Sequence, residues 1–176
     1  LPCLSLPTTE GGAIAAVRLA VEALQEIDMF GKVQLILSGG IRTGADAAKA
    51  LALGADAVSL GQAVLMALGC NSPHYVDGDE NVDVTSEYQA LETTPGYCHH
   101  CHTGRCPVGV TTQLPDLEKR MQPEWGARRL TNYLRTVTME MTTLARACGN
   151  SNVHHLERED LVALTVEAAA MAKLPS

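Results

Sequence analysis

Hydrophobic positions in the first 70 residues alternate between short continuous runs and helical spacing. The run VQLIL at 33–37 is almost entirely apolar, which is typical of a strand buried on both faces. Alanines and leucines then follow at helical spacing, and Gly54 is placed to end that helix. The same strand and helix pattern comes a second time directly afterwards. The predicted elements are a helix over 13–27, strands over 33–37 and 55–60, and helices over 44–53 and 62–68.

Both predicted strands end in glycine before a helix. Ser38-Gly39-Gly40 follows the first strand and Gly61-Gln62 follows the second. Without a Cβ atom the backbone turns sharply and approaches a ligand closely. Unfilled N–H groups and positive helix ends gathered at one place favour a phosphate dianion, and the last two strands of a (β/α)8 barrel commonly hold one. The pattern predicts a phosphate site, against the alternative that these glycines only make tight turns.

The chain changes character after Cys70. Residues 71–96 are polar, acidic and rich in turn-forming residues, which predicts a long surface loop. Helical spacing returns near the end of the chain, where Met139 and Met141 are predicted to fill the core. The predicted helices there cover 115–121, 126–149 and 158–172, and the last is expected to bury Leu161, Leu164, Val166 and Ala169.

Three cysteines within nine positions, Cys98, Cys101 and Cys106, carry the densest chemistry in the sequence. The spacing C-x2-C-x4-C followed by proline is similar to that of iron–sulfur binding loops. A zinc site formed by the same thiols, with His102 as a fourth donor, fits the residues equally well. A disulfide is disfavoured, because cysteines clustered beside histidines in an α/β chain favour reduced thiols in the cytoplasm. Cys3 and Cys148 are interpreted as structural.

Length and charge narrow the classes of function. The 176 residues fall short of the roughly 250 of a complete barrel, so we expect a C-terminal piece of a larger protein whose upstream residues supply the other strands. A net charge of −7 argues against a nucleic acid or an anionic membrane as partner. No apolar run approaches the roughly 20 residues of a membrane span.

The motifs SGGIRTGADAAKALALGADAV, ALGC and CHTGRCPVGVTTQ together resemble the C-terminal part of the FMN-binding domain of the glutamate synthase family, which includes subunits of N-methylglutamate synthase. The resemblance covers residues 33–172. It implies an α/β fold: the C-terminal part of a (β/α)8 TIM-type barrel, an iron–sulfur cysteine loop and a helical tail. The implied segments are 1–70 for the last barrel units, 71–114 for the acidic and cysteine-rich loops, and 115–176 for the helical extension.

The resemblance also implies cofactors and their residues. FMN phosphate would lie at Ser38, Gly39, Gly40, Gly61 and Gln62, although Gln62 stands where the family usually has a smaller polar residue. Cys101 and Cys106 match two cluster ligands of the family, and Cys70 matches the first because it follows ALG. Here a long acidic loop separates Cys70 from the others, and Cys98 is an additional thiol. Four cysteines would support a 4Fe–4S cluster, and three a 3Fe–4S cluster.

The implied reaction is reduction of an imine, made from 2-oxoglutarate and ammonia or an amine, to L-glutamate or N-methylglutamate. The electrons would reach FMN through the cluster from a reductase or ferredoxin partner, in an oligomer that can include a glutaminase-type partner. No catalytic residue is assigned, because the residues that hold the flavin ring and substrate would lie upstream. Two alternatives stay open: a zinc-stapled interaction domain, and a purine-nucleotide dehydrogenase-like barrel in which the glycine turns hold a substrate phosphate.

Overall fold

The structure, a computed structural model, describes residues 4–6 and 11–174 of a mixed α/β chain. Cys3 lies outside the described residues. The helices are Gly11–Glu26 (α1), Gly44–Ala52 (α2), Gln62–Leu68 (α3), Thr85–Ala90 (α4), Pro115–Glu118 (α5), Pro123–Ala147 (α6) and Val166–Ala172 (α7). The strands are Leu4–Leu6 (β1), Ile36–Ser38 (β2), Ala57–Ser59 (β3), His74–Asp77 (β4), Glu80–Asp83 (β5) and Leu161–Ala163 (β6). None of the helices described here is long and apolar enough to cross a membrane.

The chain divides into two compact units. The first unit contains the residues up to Gly61 and those from Arg135 onward, and the second unit is Gln62–Leu134. The core of the first unit is aliphatic and is built from α1, α2, β6 and α7, with Val17, Val21, Leu53 and Leu161 among its most buried members. The predicted helix over 44–53 is confirmed, and a capping box between Thr43 and Asp46 fixes where it begins.

Strands β2 and β3 pair in parallel, with Ile36 opposite Ala57 and Ser38 opposite Ser59. Both strands are shorter than the sequence pattern predicts. The prediction that the strand over 33–37 is buried on both faces is wrong for the described residues, because Ile36 is 59% exposed and Leu37 is only half-buried. The physical reason is that, among the described strands, β2 and β3 hydrogen-bond only to each other.

The predicted helix over 158–172 is wrong in its first half. Residues Arg158–Asp160 form a 3-10 turn, β6 follows, and α7 begins only after Thr165 caps it. The reason is tertiary, since Leu161 is 2% exposed and pairs with Leu4 of β1. Leu164 and Val166, expected to be buried, are 62% and 75% exposed. Met139, expected in the core, is also exposed, whereas Met141 packs against the core as predicted.

In the second unit, residues 71–96 form an ordered excursion that contains regular secondary structure. An antiparallel hairpin, β4–β5, turns at Gly78 with φ +59° and pairs His74 with Asp83. Asp-Gly is the sequence signal for such a turn. Helix α4 follows the hairpin and contributes Tyr88, which is 1% exposed and packs with Val84 and Val108 in the small core of this unit.

Candidate functional site

The glycine loop after β2 has the open backbone that its sequence predicts. Ser38 lies opposite Ser59, so the two parallel strands end in step. Gly39 and Gly40 have φ of +105° and +75°, both are exposed, and no atom lies within 4 Å of the position that a Cβ would occupy. Neither N–H takes part in the turn, loop and cap hydrogen bonds of the described residues. These N–H groups can therefore bind an anion.

At the start of α2, in contrast, the backbone N–H groups of residues 42–44 already donate to carboxylates of the chain. The backbone N–H groups of Arg42 and Thr43 donate to Asp46 Oδ2, each at 2.9 Å, and the N–H of Gly44 donates to Glu140 Oε2 at 2.7 Å. The expectation of unfilled N–H groups at this helix end is therefore wrong. The carboxylates of Asp46 and Glu140 accept from residues 42–44, which follow the predicted phosphate residues Ser38, Gly39 and Gly40 in the chain.

The second glycine turn is only partly informative. Gly61 follows β3, is exposed, and has open space where a Cβ would lie. Gln62 is exposed, begins the seven-residue helix α3, and belongs to the second unit. The phosphate donors that the first unit itself offers are thus the N–H groups of the glycine turns.

All four predicted cysteine ligands lie in the second unit, and Asn71 joins two of them. Asn71 Oδ1 accepts a hydrogen bond from the backbone N–H of Cys98 at 2.7 Å, and its Nδ2 donates to the Cys98 carbonyl at 3.4 Å. The same Nδ2 lies 3.6 Å from Cys70 Sγ. Asn71 is buried and has φ of +62°, a conformation that asparagine tolerates better than most residues. Residues 27 positions apart are thereby held together.

The pKa of the Cys70 thiol depends on its burial and on the three other thiols. Burial raises the pKa of Cys70, and the neighbouring thiols of Cys106, Cys101 and Cys98 raise it further. None of the four is in a disulfide, and Cys101 is the exposed one. Within residues 4–6 and 11–174, however, no three His, Cys, Asp or Glu side chains converge closely enough to hold one metal ion. His102 is exposed. The thiols are thus gathered without forming a single-ion site.

Tyr88 lies against the same thiols. Cys98 and Cys106 pack on the hydrophobic cluster that contains its ring. Its hydroxyl is buried and has no hydrogen-bond partner within residues 4–6 and 11–174. Burial raises the pKa of Tyr88, and Cys106, Cys98 and Cys70 add to the effect.

Arg120 fixes the position of the loop that carries Cys106. Its guanidinium donates to Glu87 Oε2 and to the carbonyl of Pro107, both at 2.7 Å. It also lies over the ring of Tyr75, 5.0 Å from the ring centroid. One side chain therefore joins α4, the hairpin and the cysteine loop.

Two glycines complete the cysteine loop, but not as the sequence suggests. Glycines in iron–sulfur loops turn N–H groups toward sulfur, and this is the role that the sequence favours for Gly104 and Gly109. Instead these N–H groups donate to the carbonyl oxygens of Cys101 and Cys106, at 3.4 and 3.1 Å. Gly109 has a second role, because a Cβ there would lie 2.5 Å from the Leu117 carbonyl. The glycine lets the loop pack directly on the helix α5 backbone.

Sequence reasoning did not single out Asn71, Tyr88, Arg120 or Glu140 as members of these sites. Asn71 carries a local signal, since asparagine directly after a helix often adopts a positive φ. The other three carry none, because their partners at these sites are distant in the chain and only the fold brings them together.

The fold and the two loops define a mixed α/β protein with an open glycine turn and four gathered thiols. A family model described as the conserved region in glutamate synthase matches residues 6–76 and 82–151. The chain belongs to the glutamate synthase family. No solved structure matches it significantly.

Three curated relatives illustrate the similarity. The glutamate synthase large subunit-like protein of Rhizobium meliloti (strain 1021) is 54% identical over 162 residues, which are 92% of this chain and 35% of that protein. The archaeal glutamate synthase [NADPH] of Methanocaldococcus jannaschii is 38% identical over 82% of this chain and 23% of its own length. That of Archaeoglobus fulgidus is 34% identical over 88% and 25%. The chain thus spans about a third or less of these relatives.

Proposed function

We propose that this chain forms part of an FMN- and iron–sulfur-dependent oxidoreductase of glutamate synthase type. The larger enzyme would reduce an imine of 2-oxoglutarate to L-glutamate or N-methylglutamate. The observation that carries the proposal is that Cys70, Cys98, Cys101 and Cys106 all lie in one compact unit of a family member, where Asn71 links Cys70 to Cys98. The names of two relatives include NADPH, which favours that nucleotide as the ultimate electron source, through a reductase or ferredoxin partner.

The thiol arrangement favours a multi-iron cluster over zinc. A structural zinc ion needs four donors converging on one point, and the described residues offer no such convergence. In a cluster the cysteines bind different irons, so neighbouring thiols need not meet at one point. Cys70, Cys98, Cys101 and Cys106 would hold a 4Fe–4S cluster, or three of them a 3Fe–4S cluster. The buried, unpartnered Tyr88 hydroxyl beside them is a further sign that a polar group belongs there.

The open turn at Gly39 and Gly40 suits the FMN phosphate. These two adjacent glycines have positive φ, and their N–H groups, absent from the loop hydrogen bonds of the described residues, would together bind an anion. Ser38 and Gly61, which belong to the same unit, would complete the phosphate contacts. When bound, FMN supplies hydride chemistry and the cluster supplies single electrons. The chain's own residues orient these groups and surround them with N–H and O–H donors.

Anaerobic purification of the holoenzyme tests the proposal. We expect bound FMN, together with iron and inorganic sulfide that give a broad visible absorbance. Cys106→Ser should lose that absorbance, whereas Cys148→Ser, in the core of the first unit, should keep it. Stoichiometric zinc without iron, or neither iron nor flavin, would overturn the proposal.

The FMN site has its own test. Gly40→Asp should release FMN, because a carboxylate would repel the phosphate and strain a positive-φ position. Gly31→Asp is the matched control, since Gly31 is also exposed, has φ of +78° and has open space around it. Equal flavin retention by the two variants would remove Gly40 from the site.

A further inference from the structure

The side chain of Tyr88 is placed differently from the other polar groups of the second unit. Its ring is 1% exposed and packs with Val84 and Val108. The side chains of Cys98 and Cys106 pack against the same cluster. Helix α4 therefore places a phenol in the same small core against which two of the four proposed cluster ligands pack.

The hydroxyl of Tyr88 has no partner among the described residues. Buried hydroxyls in folded proteins nearly always have one, because removal from water without a new hydrogen bond is costly. Phenylalanine would fill the same space without that cost. Packing alone therefore explains the ring of Tyr88 but not its oxygen.

The neighbourhood indicates what the missing partner is. A tyrosine hydroxyl donates one hydrogen bond, and Cys98 and Cys106 are among the side chains packed against the core that contains Tyr88. A neutral thiol is a weak acceptor, whereas a thiolate bound to iron or an inorganic sulfide carries negative charge. An acceptor of this kind is present only when the cluster is bound.

We propose that Tyr88 donates a hydrogen bond to a sulfur atom of the iron–sulfur cluster and thereby raises the reduction potential of the cluster. The inference rests on the proposed function, because it requires the cluster. Reduction adds one electron from the electron-donating partner, and the increased negative charge on sulfur strengthens the hydrogen bond. The proton stays on the Tyr88 oxygen, so the step transfers an electron alone. Tyr88 is a positioning and tuning residue, not a ligand.

Two other buried polar atoms lack partners, and they do not compete for this role. Arg18 Nε lies in the first unit, where the same guanidinium already donates to the Leu53 carbonyl at 3.3 Å. Thr111 Oγ1 is in the second unit, but Thr111 is not part of the hydrophobic core against which Cys98 and Cys106 pack. Of these three groups, Tyr88 is the one that belongs to the hydrophobic core against which Cys98 and Cys106 pack.

A redox titration of the anaerobic holoenzyme, followed by electron paramagnetic resonance, tests the proposal. Tyr88→Phe should lower the equilibrium constant for cluster reduction about tenfold, a shift of about 59 mV to more negative potential for one electron. Tyr75→Phe is the matched control, because Tyr75 packs against the same hydrophobic core as Tyr88 and the phenylalanine ring can still lie under Arg120. We expect no shift in that variant.

The stability of the metal-free protein gives an independent readout. Removing an unpartnered hydroxyl should leave the apo protein as stable as the wild type or more stable, while the loaded protein loses a contact. Electron–nuclear double resonance of the wild type in H₂O and D₂O tests the donor without any substitution, because an exchangeable proton should couple to the cluster.

The possible failures are distinguishable. Wild-type holoenzyme without iron and sulfide would overturn the proposed function. A wild type that carries the cluster, with an unchanged potential in Tyr88→Phe, would overturn the role of Tyr88 and leave the proposed function intact. The absence of coupling between an exchangeable proton and the iron–sulfur cluster in the wild type would also overturn the role of Tyr88.

Discussion

The carboxylate of Glu140 accepts a hydrogen bond from the backbone N–H of Gly44 at 2.7 Å, although 96 positions separate the two residues. Gly44 must be glycine there, because a Cβ would lie 2.4 Å from the carbonyl oxygen of Val137. Helix α6 thus holds the start of α2, which directly follows the glycine loop. A carboxylate at a helix N-terminus is also favoured by the helix dipole.

Replacing Glu140 should loosen the start of α2. We expect Glu140→Ala to lower the free energy of unfolding by about 1 kcal/mol, the typical value of a helix N-cap. Glu140→Gln should cost less, because its amide oxygen can still accept from Gly44. Chemical denaturation measures both. Met139→Ala, at the exposed neighbouring position, is the control, and an equal loss there would show that the Gly44 contact contributes nothing.

Asn71 should be required for the geometry of the cysteine site. Asn71→Gly removes the side chain that pairs with Cys98 and should cost about 1–3 kcal/mol, because the Cys98 N–H loses its partner. Asn71→Ala should cost about 1 kcal/mol more, since alanine is strained at φ +62°. Thermal unfolding should rank the wild type, Asn71→Gly and Asn71→Ala in this order of decreasing stability. Asn81→Ala on the exposed hairpin should be nearly neutral, and a neutral Asn71→Gly would contradict the role of this side chain.

Arg120→Lys should be a damaging substitution despite the conserved charge. One ammonium group cannot reproduce the planar guanidinium that lies over Tyr75 and also donates to Glu87 and the Pro107 carbonyl. We expect a loss of about 1–2 kcal/mol in the free energy of unfolding, kept modest because Glu87 is partly exposed. Denaturation with urea measures it. Arg128→Lys is the control, because Arg128 is exposed and lies over the Trp125 ring.

The Lys173–Glu22 pair predicts a pH dependence. The Lys173 hydrogen bond, at 2.6 Å, holds the pKa of Glu22 below its ordinary value. A carboxyl group whose pKa is lowered on folding stabilises the folded protein above its unfolded pKa, about 4.3, and this stabilisation disappears as the pH falls through the folded pKa. Wild type should therefore melt above Lys173→Met at neutral pH, and the difference should vanish in acid.

Both members of that pair are near solvent, so the effect at neutral pH should be small. Lys119→Met is the control, because Lys119 pairs with Asp116 only three positions away and does not join two distant segments. A difference between wild type and Lys173→Met that persists unchanged into acid would contradict the electrostatic explanation.

The local pattern predicted those elements whose causes are local. Helix α2 has strong helical spacing and a capping box within four residues, so its position could be predicted closely. Strand β6 could not, because Leu161 is buried by pairing with Leu4, and nothing near Leu161 in the sequence discloses that partner. A helix was the natural prediction wherever tertiary pairing decided otherwise.

The candidate sites divide in the same way. The open turn at Gly39 and Gly40 could be predicted, because two glycines directly after a strand indicate a turn with positive φ. The filled helix end beside it could not, since Glu140 comes from a distant helix. Local spacing identified Cys98, Cys101 and Cys106, whereas Cys70 required the resemblance to a family. The structure adds the contact through Asn71 that joins Cys70 to Cys98.

The closed base of the hairpin segment has a consequence for variation in the family. Asn71 accepts from Cys98 with its side chain and from the Gly96 N–H with its backbone carbonyl, so both ends of the excursion are pinned. Residues 77–81, at the tip of the hairpin, are the ones that the family model leaves unmatched between its two segments. Because the stem is fastened below them, the tip can be lengthened, trimmed or fitted with a reporter peptide while the sulfur atoms keep their spacing.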